Sequence, residues 1–191
     1  MSRRTIRTLV FIVIASLITI GCLARGGTMS NFDESEYDGA MQRFQGSTEA
    51  IDEGVQAFVA AYGDLTQADL RERMTALYAP ELYFNDTIHT FNDREALVDY
   101  MSRTGDSLEQ SSVDVKQVLR DGNDVFLRWS MEFRSSVAGK DIHSRSIGMT
   151  HLRFDGAGRV VLHQDFWDSG HALYAQLPVV GFFVRRAHNR M

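Results

Sequence analysis

The feature that most constrains this chain is a change of hydrophobic period partway along it. Between Thr48 and Gly105 apolar residues recur at helical spacing, and beyond Ser111 they alternate with polar ones. In the first half Ile51, Val55, Phe58, Val59 and Tyr62 share one helical face. Leu70, Met74, Leu77 and Tyr78 form a second stripe, introduced by Thr66 as N-cap and stopped by Pro80. A third helix is expected over "FNDREALVDYMSRTG", capped by Asn92 and closed by Gly105, with "ELYFND" before it as a short strand. "SSVDVKQVLRD", "DVFLRWSMEF", "SRSIGMTHLRF" and "RVVLHQDFWD" then read as strands, the last two joined by the hairpin loop "DGAG". Helices followed by an antiparallel sheet give an α+β architecture of about three N-terminal helices on a curved sheet that buries one face beneath them.

The two ends of the chain read differently from its body. Arg3, Arg4 and Arg7 precede the apolar run Leu9 to Ile20, which is short for a membrane span of roughly 20 residues and ends at Gly21-Cys22. This order resembles a bacterial lipoprotein signal with its lipobox, although Thr19 stands where leucine is usual. The resemblance implies cleavage before Cys22, lipidation of Cys22, and an exported protein held on the membrane of the cell envelope. Cys22 is the only cysteine, so no internal disulfide and no catalytic thiol are expected. The expected organisation is a signal over 1–21, a flexible tether over 22–46, a folded domain over 47–176 and an apolar-basic tail over 177–191. In that tail Leu177, Val179, Val180, Phe182, Phe183 and Val184 precede Arg185 and Arg186. Such a run can cap the domain, pair with another subunit in a homodimer, or lie in a membrane interface. Residues 1–30 and 180–191 hold seven arginines and no acid, which leaves 13 Lys and Arg against 25 Asp and Glu in the body, a charge of 13 − 25 = −12. A body this acidic argues against a nucleic-acid partner.

The order of elements, with "VQAFVAAYGDL", "LYFND" and "THLRFDGAGRVV", resembles the NTF2-like superfamily, the cone-shaped α+β fold that includes SnoaL-like proteins and ketosteroid isomerases. The resemblance runs from about Thr48 to Asp168. In the isomerases a carboxylate moves the proton while a tyrosine and a protonated aspartic acid hold the oxyanion. Carried across, the base position falls on Asp86, the tyrosine on Phe58 and the acid on Thr150. With two of three parts changed, steroid isomerisation is not expected.

The last strand poses the decisive question. Val160, Leu162, Gln164 and Phe166 alternate with Val161, His163, Asp165 and Trp167. By apolar content the first set faces the core and the second faces water. The resemblance, and an indole suited to an aromatic pocket wall, put His163, Asp165 and Trp167 inside. The expectation is then a cone binding a small, mostly apolar ligand with one polar group. Asp86, Asp165 and His163 are the acid–base candidates, and Phe58, Tyr83, His89, Trp129, Thr150 and Trp167 the ligand contacts. Neither "HQD" nor "DSGH" has metal-ligand spacing, and no metal or cofactor is expected. Two other readings stand beside this one. One is an enzyme of proton transfer, dehydration or epoxide opening. The other is a non-catalytic dimerisation or membrane-associated interaction module.

Overall fold

The computed structural model describes residues 28–29, 34–137, 139–177 and 179–190; the leader and Cys22 lie outside them. Seven strands form one sheet: β1 (Thr28–Met29), β2 (Tyr78–Asn85), β3 (His89–Asp93), β4 (Leu108–Asp121), β5 (Asp124–Val137), β6 (Lys140–Phe154) and β7 (Val160–Trp167). Their order is β1-β3-β2-β7-β6-β5-β4. The helices are α1 (Glu34–Arg43), α2 (Ile51–Tyr62), α3 (Leu70–Leu77), α4 (Arg94–Asp106), α5 (Ser169–Ala172) and α6 (Val180–His188), with a 3-10 turn over Tyr174–Gln176. This is the mixed α+β architecture that the change of period predicts, in the cone form that the resemblance implies. Neighbouring strands are antiparallel except β2 and β7, which run parallel. They meet across the centre of the sheet without a hairpin, because all of β3 to β6 lies between them in the chain.

The main core lies between α2, α3 and α4 and the inner face of the sheet. Phe58, Met74, Leu97 and Met101 from the helices meet Leu82, Leu127, Leu152, Phe154 and Val160 from the strands. Helix α2 is turned slightly from the predicted face: Gly54 and Ala61 are buried with Ile51 and Phe58, whereas Val59 is exposed. Pro80 does not stop α3. The helix ends at Leu77, and Pro80 sits in β2, in the stretch between Tyr78 and Tyr83 where pairing with β7 shifts register and a missing N–H is tolerated. Thr66 caps no helix side; instead the Asp64 carboxylate receives its amide and hydroxyl. Asp93 rather than Asn92 caps α4, its carboxylate accepting from the Ala96 amide at 2.9 Å.

The outer face is covered in part as well, by residues expected to form a tether. Helix α1 lays Ala40, with Tyr37, Met41 and Phe44, over Tyr83 and Leu162. A polar latch reinforces it. The His151 ring, buried and stacked on Phe126 at 4.5 Å, is 2.6 Å from the Tyr37 hydroxyl through Nδ1 and 2.6 Å from Asp124 Oδ1 through Nε2. Arg153 also donates to Asp124 Oδ1, at 2.5 Å. It reaches the carbonyls of Met41 and Phe44 at 2.7 and 3.1 Å, so a cation satisfies orphan carbonyls at the C-terminal end of α1. The tail likewise contains a helix, α6.

With helices on both sides, β7 buries both of its faces over Leu162–Gln164. This resolves the ambiguous pattern of the last strand. The alternation itself breaks at a bulge: Phe154 pairs with Val160 and Arg153 with Leu162, so Val161 is an extra residue. Val160 therefore joins the inner core and Leu162 the outer cluster, although the sequence puts them on one side.

Candidate functional site

A cavity of about 380 Å³ opens between α2, α4 and the inner face of the sheet, within the size range of small-molecule sites. His163, Asp165 and Trp167 all border it, as do Phe58, Asp86, His89, Trp129 and Thr150. Tyr83 does not: on β2, Phe84 points in and Tyr83 points out, where its hydroxyl donates to Gln164 Oε1 at 3.0 Å. The proposed contact between Tyr83 and a ligand is therefore corrected, since alternate residues of a strand face opposite sides.

His163 is 1 % exposed and enclosed by the rings of Phe58, Tyr62, Tyr78 and Phe84 at 4.6–6.1 Å. Its Nδ1 is 2.7 Å from the Tyr78 hydroxyl and its Nε2 is 2.9 Å from Asp165 Oδ1. Tyr78 is in turn 2.5 Å from the Tyr62 hydroxyl. From the other side Trp129 Nε1 donates to Thr150 Oγ1 at 2.8 Å, and Thr150 donates to Asp165 Oδ1 at 2.6 Å.

These contacts fix proton directions from the carboxylate outward. Thr150 has one hydroxyl proton and gives it to Asp165, so its lone pair receives the Trp129 N–H. A neutral imidazole at His163 gives its Nε2 proton to the same carboxylate oxygen, and Nδ1 is then the acceptor and Tyr78 the donor. Tyr62 then donates to Tyr78. Burial pushes both phenols well above the ordinary tyrosine range, which keeps them protonated and able to fill these donor roles. The whole chain converges on Oδ1 of Asp165. Among the described residues Oδ2 receives no hydrogen bond, and Asp165 borders the cavity.

The local sequence explains the convergence. His163 and Asp165 are two apart on one strand and so share a face, and Thr150 is Asp165's direct cross-strand partner. Gly148 lies opposite both Trp129 and Trp167. A Cβ there would run into the six-membered ring of Trp129, so glycine is what lets that indole cross to reach Thr150.

Asp86 is held differently. Its Oδ1 accepts from the amides of Ile88 and His89 at 2.8 and 2.7 Å, and its Oδ2 accepts the Tyr100 hydroxyl at 2.6 Å. The Trp167 indole donates to its backbone carbonyl at 2.8 Å. Burial raises the Asp86 carboxyl above its ordinary value; the hydrogen bonds from Tyr100, His89 and Ile88 pull it down, and Asp165 adds to the rise. With both oxygens engaged, Asp86 organises the turn after β2, while Asp165 keeps one oxygen without a hydrogen bond from the described residues. His89 packs against Tyr100 at 4.8 Å, and its buried Nδ1 has no hydrogen-bond partner among the described residues.

The sequence reading missed the hydroxyls that complete the site. In the sequence Tyr62 and Tyr78 read as members of apolar helix stripes, and Tyr100 carries no assigned role. The signal was present: a buried tyrosine must find a partner for its O–H, so tyrosines on core stripes imply polar groups opposite them.

Residues 39–163 match the family model described as a SnoaL-like domain. Solved structures share the fold. A protein assigned as a SnoaL-like polyketide cyclase from Shewanella putrefaciens CN-32 is 20 % identical, covering 65 % of this chain and 95 % of its own, with a TM-score of 0.55. A protein of ketosteroid isomerase-like fold from Catenulispora acidiphila DSM 44928, in complex with trimethylamine, is 22 % identical over 66 % of this chain and 94 % of its own, at 0.54. An LEH-like epoxide hydrolase from M. tuberculosis is 18 % identical over 73 % and 98 %, at 0.50. Among curated proteins none matches. A family model spanning most of the chain, on a cone whose inner wall carries the polar chain ending at Asp165, has one reading: the chain belongs to the SnoaL-like domain family.

Proposed function

We propose that the cone binds a small, largely apolar molecule carrying one polar group, and that Asp165 exchanges a proton with it. The observation that carries this reading is the one-sided wiring of Asp165. Thr150 and His163 both address Oδ1, which orients the carboxylate and leaves Oδ2 to act as base. The Tyr78–Tyr62 pair holds the imidazole in the tautomer that donates to the carboxylate. A positioned base of this kind contributes roughly 10²–10⁴ in rate. The unpartnered Nδ1 of His89 supplies a second polar point for the ligand. The reaction class that fits is proton abstraction beside a carbonyl, as in isomerisation or ring closure, or activation of water for epoxide opening. The printed names of the polyketide cyclase and epoxide hydrolase neighbours are compatible with that range. An open cavity favours this reading over a pure interaction module.

Native mass spectrometry of the purified full chain identifies the molecule it carries, and incubation in deuterated water shows whether that molecule gains deuterium. The expected result is incorporation by the wild type and, in Asp165→Asn, retention of the molecule without incorporation. A molecule bound equally by both proteins that never takes up deuterium or changes chemically would leave a carrier in place of an enzyme.

We also propose lipid attachment at Cys22 and an envelope location, supported by the order of arginines, apolar run and Gly21-Cys22. A diacylglyceryl mass on an N-terminal Cys22 in the membrane fraction is expected, and recovery of an unmodified Cys22 there would remove the proposal.

A further inference from the structure

Helix α6 is the described element least accounted for by the cone. It packs on the 3-10 turn Tyr174–Gln176, with Gly181 pressed so closely that a Cβ would run into the Ala175 carbonyl. The Arg185 guanidinium donates to that same carbonyl. The rest of the helix is left outside. Val179, Val180, Phe182 and Phe183 are 42–64 % exposed, and the two phenyl rings pack edge to face on each other at 5.4 Å. Adjacent exposed phenylalanines on a short terminal helix are unfavourable in water.

The charge on this segment is one-sided. After Asp168 the chain has no acidic residue, while Arg185, Arg186 and Arg190 lie within or just beyond α6. Phe182 and Arg186 stand four apart within the helix, so an apolar ring and a cationic head occupy one side of it, and Arg190 follows in the turn just beyond. Long arginine stems can lie along an apolar layer while their guanidinium groups reach phosphate oxygens above it. A second copy of this chain is the poorer partner for the apolar part, since it would bring a second set of the same arginines beside the first.

We infer that α6 is a membrane-docking helix that lays Val180, Phe182 and Phe183 into the interface of an anionic bilayer, with Arg186 and Arg190 on lipid phosphates. The helix is seated on Ala175, and Leu173, just before that turn, lines the cavity. Docking therefore holds that end of the cone against the lipid surface. The site is independent of Cys22 and of the chemistry at Asp165.

The test is amide hydrogen exchange in Val180–His188 of the full chain. It is measured alone, with phosphatidylcholine vesicles, and with vesicles that also contain phosphatidylglycerol. A local readout separates α6 from anything the N-terminal segment does at the bilayer. Protection of this segment is expected with the anionic vesicles and little with the zwitterionic ones. Arg186→Gln and Arg190→Gln should each weaken the protection about five-fold, and Phe182→Ser with Phe183→Ser should abolish it. Equal exchange under all three conditions overturns the proposal, as does equal protection by both lipid compositions. Protection that appears without lipid and grows with protein concentration overturns it in favour of a second copy.

Discussion

Two buried histidines on neighbouring strands, facing opposite sides of the sheet, are wired almost identically. His163 on the inner face has Nδ1 on the Tyr78 hydroxyl and Nε2 on Asp165. His151 on the outer face has Nδ1 on the Tyr37 hydroxyl and Nε2 on Asp124. Each ring is 1 % exposed. The difference lies in what else the carboxylate meets. Asp124 is paired with Arg153, which is itself committed to the end of α1. Asp165 has a neutral hydroxyl, Thr150, and a cavity beside it. A Tyr–His–Asp chain is therefore not by itself a catalytic device. With a cation beside the carboxylate, the chain fastens a helix. With a hydroxyl and an open volume, it leaves one carboxylate oxygen beside the cavity, the oxygen we propose as a base.

Breaking the two carboxylates separately gives the largest effects. Asp165→Asn should reduce turnover of the bound molecule by roughly 100-fold or more, with little change in melting temperature, since the neutral amide keeps most of the volume and one acceptor. Asp124→Asn should do the reverse. It leaves the buried guanidinium of Arg153 facing a neutral amide in place of a carboxylate, which costs about 2 kcal/mol, or roughly 4–8 °C in melting temperature for a domain of this size, while turnover stays near wild type. Equal losses of activity from the two substitutions would show that both chains serve one site.

A smaller pair of effects sharpens the same contrast at the tyrosines. Tyr37→Phe removes one hydrogen bond from a fixed latch and should cost about 1 kcal/mol, read by denaturant unfolding, with activity intact. Tyr78→Phe should cost a similar amount of stability. It should also lower turnover about ten-fold, because His163 loses the donor that sets its tautomer.

How legible this was in the sequence differs between the faces. The α+β order follows from the change of period, and the inner position of His163 and Asp165 was reached through family resemblance and Trp167, against the apolar count. That count misled for a physical reason: β7 is covered on both sides, so neither face had to be polar, and the bulge at Val161 breaks the alternation that a count assumes. Helix α1 was overlooked because its acidic, glycine-containing sequence resembles a linker. Yet Tyr37, Ala40, Met41 and Phe44 fall at i, i+3, i+4 and i+7, the spacing of a buried stripe. The outer histidine carries no local signal, because its partners Tyr37 and Asp124 are 114 and 27 residues away. Contacts at that separation are made by the sheet and leave no local trace.

The smallest expected effect concerns pH, and it too divides the faces. Burial lowers the His151 pKa below the ordinary 6.5, against the pull of Asp124. The folded state then binds this proton less readily than the unfolded chain, so its contribution is present above pH 6.5 and is lost as pH falls through the folded value. Burial opposes ionisation of Asp124, but the hydrogen bonds from Arg153 and His151 prevail and hold its pKa below 3.8. Its contribution is present above 3.8 and lost as pH falls through that lower folded value. Asp86 on the inner face has the opposite sign. Its raised pKa gives stability below 3.8 that is lost as pH rises through the folded value. The outer latch should therefore loosen in two steps on acidification, while the turn at Asp86 gains. Melting temperature against pH should show a shallow decline beginning below pH 6.5 that His151→Gln flattens, and a second fall in the carboxylate range, shared with Asp64, Asp99, Glu132 and Asp155, that Asp124→Asn makes smaller. A His151→Gln profile that keeps the first decline would place the titrating group elsewhere.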